Sequence, residues 1–291
     1  MRWLYFLAGT AAFVFAQLPA PNAMGVTPGH LHFVVPDAET MTKAWVDLFG
    51  AVPTKAGTLT PLKIPGIYVI VTAQRPGRGG EQPAKPLGTK GSVVDHVGFE
   101  VKDYDGLKAK AMAANMPWQE VTAGSQAFLT MPDDVILEIM GNKDLKVPAQ
   151  FHHIHMSVPD QKAAQEWYIK EFGASDGTRR NAPTANFAIG EVDFLKAGGG
   201  PGRGAKGAAP PAAPATPPPP PAGTQGRALD HIGFDVADED AAFKRFTDDG
   251  VKVNMASRDM TKQIGLKIGF ITDPNGTYIE VTQGLKDLND K

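Results

Sequence analysis

The chain has 291 residues, enough for one large domain or two of ordinary size, and its 42% hydrophobic content can supply a packed core. With 29 basic and 31 acidic residues well dispersed, the net charge of -2 gives no electrostatic reason to expect nucleic acid as a partner and favours a small-molecule ligand. Cysteine is absent, which excludes disulfides, thiolate ligands and a cysteine nucleophile, so any metal must bind through nitrogen and oxygen.

Arg2 followed by the almost wholly apolar run Leu4 to Phe15 and the small-residue spacing Val14-Phe15-Ala16 reads as a secretory signal over residues 1–23, cleaved after residue 16 or residue 23. The run is short for a membrane span, so no stable span is expected after cleavage and the protein is expected to be exported, either periplasmic or secreted. Without an Arg-Arg pair the general secretory route is expected. Metal would then be acquired outside the cytosol.

His30 to Val35 alternates two faces, as a strand does, with His30, His32 and Val34 on one and Leu31, Phe33 and Val35 on the other. Asp37 can cap a helix with Met41, Trp45, Leu48 and Phe49 at helical spacing and Gly50 as its stop, and extended segments follow to Thr72. After a polar connector, Gln74 to Ser92, the same grammar restarts with VVDHVGFEV and its His96, a helix near Tyr104 to Asn115, and strands ending in one that carries Glu138. It restarts again at FHHIHMSVPD, with His153 and His155 on one strand face, His152 on the opposite one, Asp160 as cap and Trp167, Tyr168 and Phe172 on the helix. Residues 197–226, rich in Gly, Ala and Pro, read as a solvated linker. The fourth unit opens with ALDHIGFDV and its His231, and closes on the strand after Asp273-Pro274-Asn275-Gly276 that carries Glu280.

The chain therefore reads as α+β: four βαβββ modules paired into two cup-shaped sheet domains, residues 29–145 and 151–287. Each half presents two histidines and a glutamate on strands: His30, His96 and Glu138, then His153, His231 and Glu280. Such a set forms a facial triad that holds a divalent metal and leaves positions open for substrate oxygens. His32 and His155, two residues past the first histidines and on the same face, are candidates for catalytic or substrate contact, with direct chelation as the other reading.

The strand-His-cap pattern, the D-H-[IV]-G-F strands at Asp95 and Asp230, and the D-P-N-G-x-x-[IV]-E ending at Glu280 resemble the vicinal oxygen chelate superfamily, which includes glyoxalase I, extradiol dioxygenases and bleomycin-resistance proteins. The resemblance covers nearly everything from residue 29 to 285. It implies cupped sheets with a metal inside, Fe2+ or Mn2+, with Zn2+ able to compete in an exported protein. It also implies dioxygenase-like chemistry on a small molecule with vicinal oxygens; the alternatives are a metal-dependent isomerase or lyase, or a non-catalytic ligand-sequestering protein. The chain departs from the family pattern at the fourth-ligand positions of glyoxalase I, read here as Ile70 and Phe194, and at Phe128 and Phe270, where extradiol dioxygenases carry acid-base groups ahead of the last Glu.

Overall fold

The computed structural model describes residues 18–76, 83–197 and 219–288; most of the expected signal and of the Pro-rich linker lies outside the described residues. The four modules are present. Module 1 is β1 (Val26–Val35), α1 (Ala38–Phe49), β2 (Val52–Pro53), β3 (Leu62–Ile64) and β4 (Ile67–Ala73). Module 2 is β5 (Val94–Val101), α2 (Tyr104–Ala113), β6 (Trp118–Thr122), β7 (Gln126–Met131) and β8 (Val135–Gly141). Module 3 is β9 (Ala149–Val158), α3 (Gln161–Phe172), β10 (Ser175–Arg179), β11 (Ala182–Asn186) and β12 (Glu191–Lys196). Module 4 is β13 (Leu229–Val236), α4 (Glu239–Asp248), β14 (Lys252–Met260), the single turn α5 (Thr261–Ile264), β15 (Leu266–Thr272) and β16 (Tyr278–Gln283).

Each main helix starts on an aspartate whose carboxylate accepts backbone N–H groups of the first turn: Asp37 from Thr40, Asp103 from Gly106, Asp160 from Lys162 and Ala163, and Asp238 from Ala241. α1 and α3 end on Gly50 and Gly173 at φ 66° and 65°, the left-handed conformation in which a Cβ is costly. Trp167 is only half-buried. Gln165 instead takes a buried place on α3, donating to the carbonyls of Gly177 and Thr184 at 3.0 and 2.7 Å.

The pairing of modules differs from the consecutive one expected. One eight-stranded sheet runs β14-β15-β16-β13-β1-β4-β3-β2, which joins modules 1 and 4; the other runs β10-β11-β12-β9-β5-β8-β7-β6, which joins modules 2 and 3. Both seams are antiparallel, β1 with β13 and β5 with β9. The 29–145 and 151–287 halves therefore each contribute one module to each sheet. Connector length supplies the physical reason. Residues 142–148 return the chain at once to the same sheet, from β8 to β9 on the far side of β5, whereas residues 74–93 and 197–228 are long enough to carry it from one sheet to the other.

Strand alternation puts Leu31, Phe33 and Val35, with their counterparts in the other modules, into one apolar cluster that joins both sheets and all four main helices. Aromatic contacts cross between the sheets: Trp45 lies 5.3 Å from Phe99, and Phe172 stacks on Phe234 at 4.2 Å. Each fully buried side chain of this kind contributes about 1.5–3 kcal/mol. The opposite face of each sheet carries the histidines.

Candidate metal centres

In the sheet of modules 1 and 4, β1 and β13 place His32 opposite His231 and His30 opposite Gly233, while β16 places Glu280 beside that glycine. Glu280 Oε2 lies 2.9 Å from both His30 Nε2 and His231 Nε2, and Asp230 Oδ1 lies 2.6 Å from His231 Nδ1. His32 Nε2 meets Thr72 Oγ1 at 3.0 Å, and its Nδ1 is buried without a partner.

In the sheet of modules 2 and 3 the same pattern recurs. Glu138 Oε2 lies 3.1 Å from His153 Nε2 and 3.2 Å from His96 Nε2, and Asp95 Oδ1 lies 2.7 Å from His96 Nδ1. His155 Nδ1 is 2.7 Å from His96 Nε2, and Gln126 donates to the other oxygen of Glu138.

Donor atoms of His30, His32, His231 and Glu280 thus lie within 4.8 Å of one another, as do those of His96, Glu138, His153 and His155. All six expected ligands and both flanking histidines belong to these clusters, but the grouping changes: His30 joins His231 and Glu280, and His153 joins His96 and Glu138. A triad drawn from one half of the chain, such as His30, His96 and Glu138, spans two sheets.

The glycine of the D-H-[IV]-G-F strand has a steric role. A Cβ on Gly98 would meet His153 Cε1 at 2.1 Å, and one on Gly233 would meet His30 Cε1 at 2.2 Å, so each ring packs directly on the glycine of the opposing module. The register shift that places His153 opposite Gly98 but Phe151 opposite Phe99 leaves His152 as an extra residue. His152 therefore does not face away: its Nδ1 lies 3.1 Å from His153 Nδ1 and accepts from Arg179 Nη1 at 3.0 Å.

The ladders also locate the fourth-ligand positions. Glu138 and Glu280 pair with Gly98 and Gly233, two residues beyond the histidine of the adjacent strand. By the same register the equivalents in modules 1 and 3 are Ile70, opposite His32, and Asp193, opposite His155. Ile70 stands as read from the sequence; Phe194 is off by one and is a core residue, and Asp193 takes the position. Asp193 is 2% exposed, with Oδ2 at 3.9 Å from His155 Nε2 and 3.5 Å from Arg179 Nη1. Three further groups escaped the sequence reading: Arg179, Gln126, and Tyr278, whose ring lies 5.8 Å from His231 and stacks on Phe270 at 4.8 Å. Tyr278 was legible, two residues before Glu280 and hence on its face. Nothing local marks Arg179. Phe128 and Phe270 set their rings edge to face with His96 and His231, at 5.1 and 5.2 Å.

Both clusters fit a divalent cation by donor chemistry: imidazole nitrogens and one buried carboxylate, with His32 Nδ1 and His153 Nε2 lacking a hydrogen-bond partner. Burial opposes the charged form of Glu138 and Glu280, but the histidines beside them win and hold both carboxyls well below the usual range. Burial likewise opposes charge on His231, yet the carboxylates of Asp230 and Glu280 outweigh it and raise the imidazole to about 9. A proton on His231 Nε2 occupies the place a cation would take. Burial first, then neighbouring imidazoles, push His155 down to about 2 and His32 well below its ordinary value, which keeps their lone pairs free. Burial raises Asp193 to about 7, reinforced by Glu191 and opposed by Arg179.

Residues 150–281 match the model of the Glyoxalase/Bleomycin resistance protein/Dioxygenase superfamily. Among solved structures, glyoxalase I from Zea mays is similar with a TM-score of 0.62 and 15% identity, over 91% of this chain and 95% of that one. A candidate dioxygenase from Bacillus subtilis subsp. subtilis str. 168 is similar with a TM-score of 0.61 and 12% identity, over 91% of this chain and 86% of that one. No curated protein sequence matches the chain. The protein has the vicinal oxygen chelate fold, and its 150–281 stretch is the part that matches the glyoxalase, bleomycin-resistance and dioxygenase superfamily model. Among the described residues no helix is long and apolar enough to cross a membrane.

Proposed function

We propose that the protein is an exported, metal-dependent enzyme that acts on a small molecule through two neighbouring oxygen atoms, with dioxygenase-like chemistry. The observation that carries this reading is the twofold convergence of three imidazoles and a carboxylate, with donor atoms within 4.8 Å, on the histidine-bearing faces of the two sheets. A divalent ion there, Fe2+ or Mn2+ by resemblance or Zn2+ if loaded after export, would polarise the substrate oxygens and stabilise enolate or catecholate charge. Asp95 and Asp230 hold the outer nitrogens of His96 and His231, so that the inner nitrogens face the cation. Phe128 and Phe270 set an apolar edge against these same histidines, suited to an aromatic or alkyl part of the substrate.

One observation favours isomerase or lyase chemistry in the site of modules 2 and 3. Asp193, raised to about 7, is placed to exchange a proton near neutral pH without any redox partner.

Metal content per chain, measured on the purified protein with His96→Ala and His231→Ala beside it, tests the reading. Two metals, one lost in each variant, with oxygen uptake on catechols, would support the dioxygenase-like form; metal without oxygen uptake would move the assignment to isomerase or lyase. Tight binding of an aromatic ligand by protein that takes up no metal would replace both with sequestration.

A further inference from the structure

In both sites the second histidine of a His-x-His pair turns Nδ1 inward. His155 Nδ1 lies 2.7 Å from His96 Nε2, itself 3.2 Å from Glu138 Oε2. Asp95 accepts from His96 Nδ1, which turns His96 Nε2 toward Glu138 and His155. His155 Nδ1 and His96 Nε2 are close enough to share either one proton or one cation. His32 repeats the arrangement: Thr72 Oγ1 takes its Nε2 at 3.0 Å, while its Nδ1 is buried and unpartnered, with the His32 and His231 ring centroids 4.5 Å apart. An orphaned buried ring nitrogen is destabilising unless something binds it. The pattern arises twice from different sequences, GHLH and HHIH.

From this geometry we infer that His32 and His155 are metal donors through Nδ1, so that each site is a three-imidazole, one-carboxylate centre. The inference rests on the metal-centre reading and goes further by replacing the two-histidine facial triad with a four-donor set. Four protein donors of this type suit Zn(II) and its substitute Co(II) as a four-coordinate resting centre, which substrate oxygens would expand on binding. His32 and His155 then cease to be proton carriers. Thr72 then stands behind His32 at hydrogen-bond distance, while Asp193 lies 3.9 Å from Nε2 of His155.

Equilibrium dialysis of the full chain against Co(II), with visible spectroscopy, tests this. Wild type is expected to bind two Co(II) with the strong absorption of four-coordinate ions. His32→Ala and His155→Ala are each expected to keep one tight ion and to weaken the other more than about 100-fold, beyond what loss of an outer partner costs. Two Co(II) in each variant with wild-type affinity and spectrum would overturn the inference and leave the metal centres intact; no Co(II) in wild type would overturn the metal centres themselves. Should a variant fail to fold, pulsed electron paramagnetic resonance of Cu(II)-loaded wild type decides the point: three coupled imidazoles per site uphold it, two overturn it.

Discussion

His30 Nε2 lies 2.9 Å from Glu280 Oε2 although 250 residues separate them along the chain. Glu138, the carboxylate of His30's own half, sits in the other sheet with His96 and His153. The modules are nested, the outer two around one site and the inner two around the other.

Nesting has a direct test by metal titration. His30→Ala, His231→Ala and Glu280→Gln are expected to abolish one and the same site, and His96→Ala, His153→Ala and Glu138→Gln the other. The double variant His30→Ala/Glu280→Gln should still hold one ion. If it held none while His30→Ala/Glu138→Gln held one, the pairing by halves would be restored.

Gly98→Ala should weaken metal binding at the inner site without altering any ligand, because the new methyl would overlap His153. Gly233→Ala should do the same to the outer site through His30. Metal affinity at the affected site is expected to fall by at least about tenfold, the lower range for loss of a supporting contact. Unchanged affinity in both variants would contradict the ring-on-glycine packing.

Glu239, outside both imidazole clusters but within the electrostatic reach of Glu280, gives a pH dependence of its own. It is fully buried at the first turn of α4, neither carboxylate oxygen has a partner, and burial raises it from 4.5 to about 8. Between those values the folded state keeps a proton that the unfolded state has released, so stability should fall as pH rises across the window, by up to about 1.4 kcal/mol per unit. Glu239→Gln should flatten that slope and gain stability relative to wild type above pH 8, as read by urea denaturation from pH 5 to 9. A parallel pair of curves would argue against a buried, protonated Glu239.

For the mature N-terminus we expect Gln17, from cleavage after residue 16. Leu18 is buried in a small apolar cluster with Ala56, Tyr68, Leu285 and Leu288, and Asn22 Nδ2 donates to the carbonyls of Phe172 and Gly173 at 2.7 and 2.9 Å. Cleavage after Ala23 would remove both. Expression of the full chain with N-terminal sequencing of any secreted product checks both the proposed export and this cleavage site, and Asn22→Ala should cost about 1–3 kcal/mol by orphaning the end of α3.

The modules, their aspartate caps and the identity of every cluster histidine and glutamate were legible locally, because strand alternation and capping are written within a few residues. Asp193 was missed by one register step, which no strand considered alone can reveal. His152 was misplaced because a bulge reverses the alternation on which its reading depended. Arg179 has no neighbouring signal; it reaches the site from β10 at the edge of the sheet.

The sequence by itself determined a fourfold repeat and the chemistry that each repeat carries. Which repeats share a site was decided only in the tertiary structure, because the seams pair strands whose edges, GHLHFV against ALDHIGF and HHIHMS against VVDHVGF, are nearly interchangeable. With local preference so evenly balanced, the choice fell to long-range terms: one short connector that keeps modules 2 and 3 adjacent, two long ones that let the chain cross between sheets, and the aromatic core that locks the result.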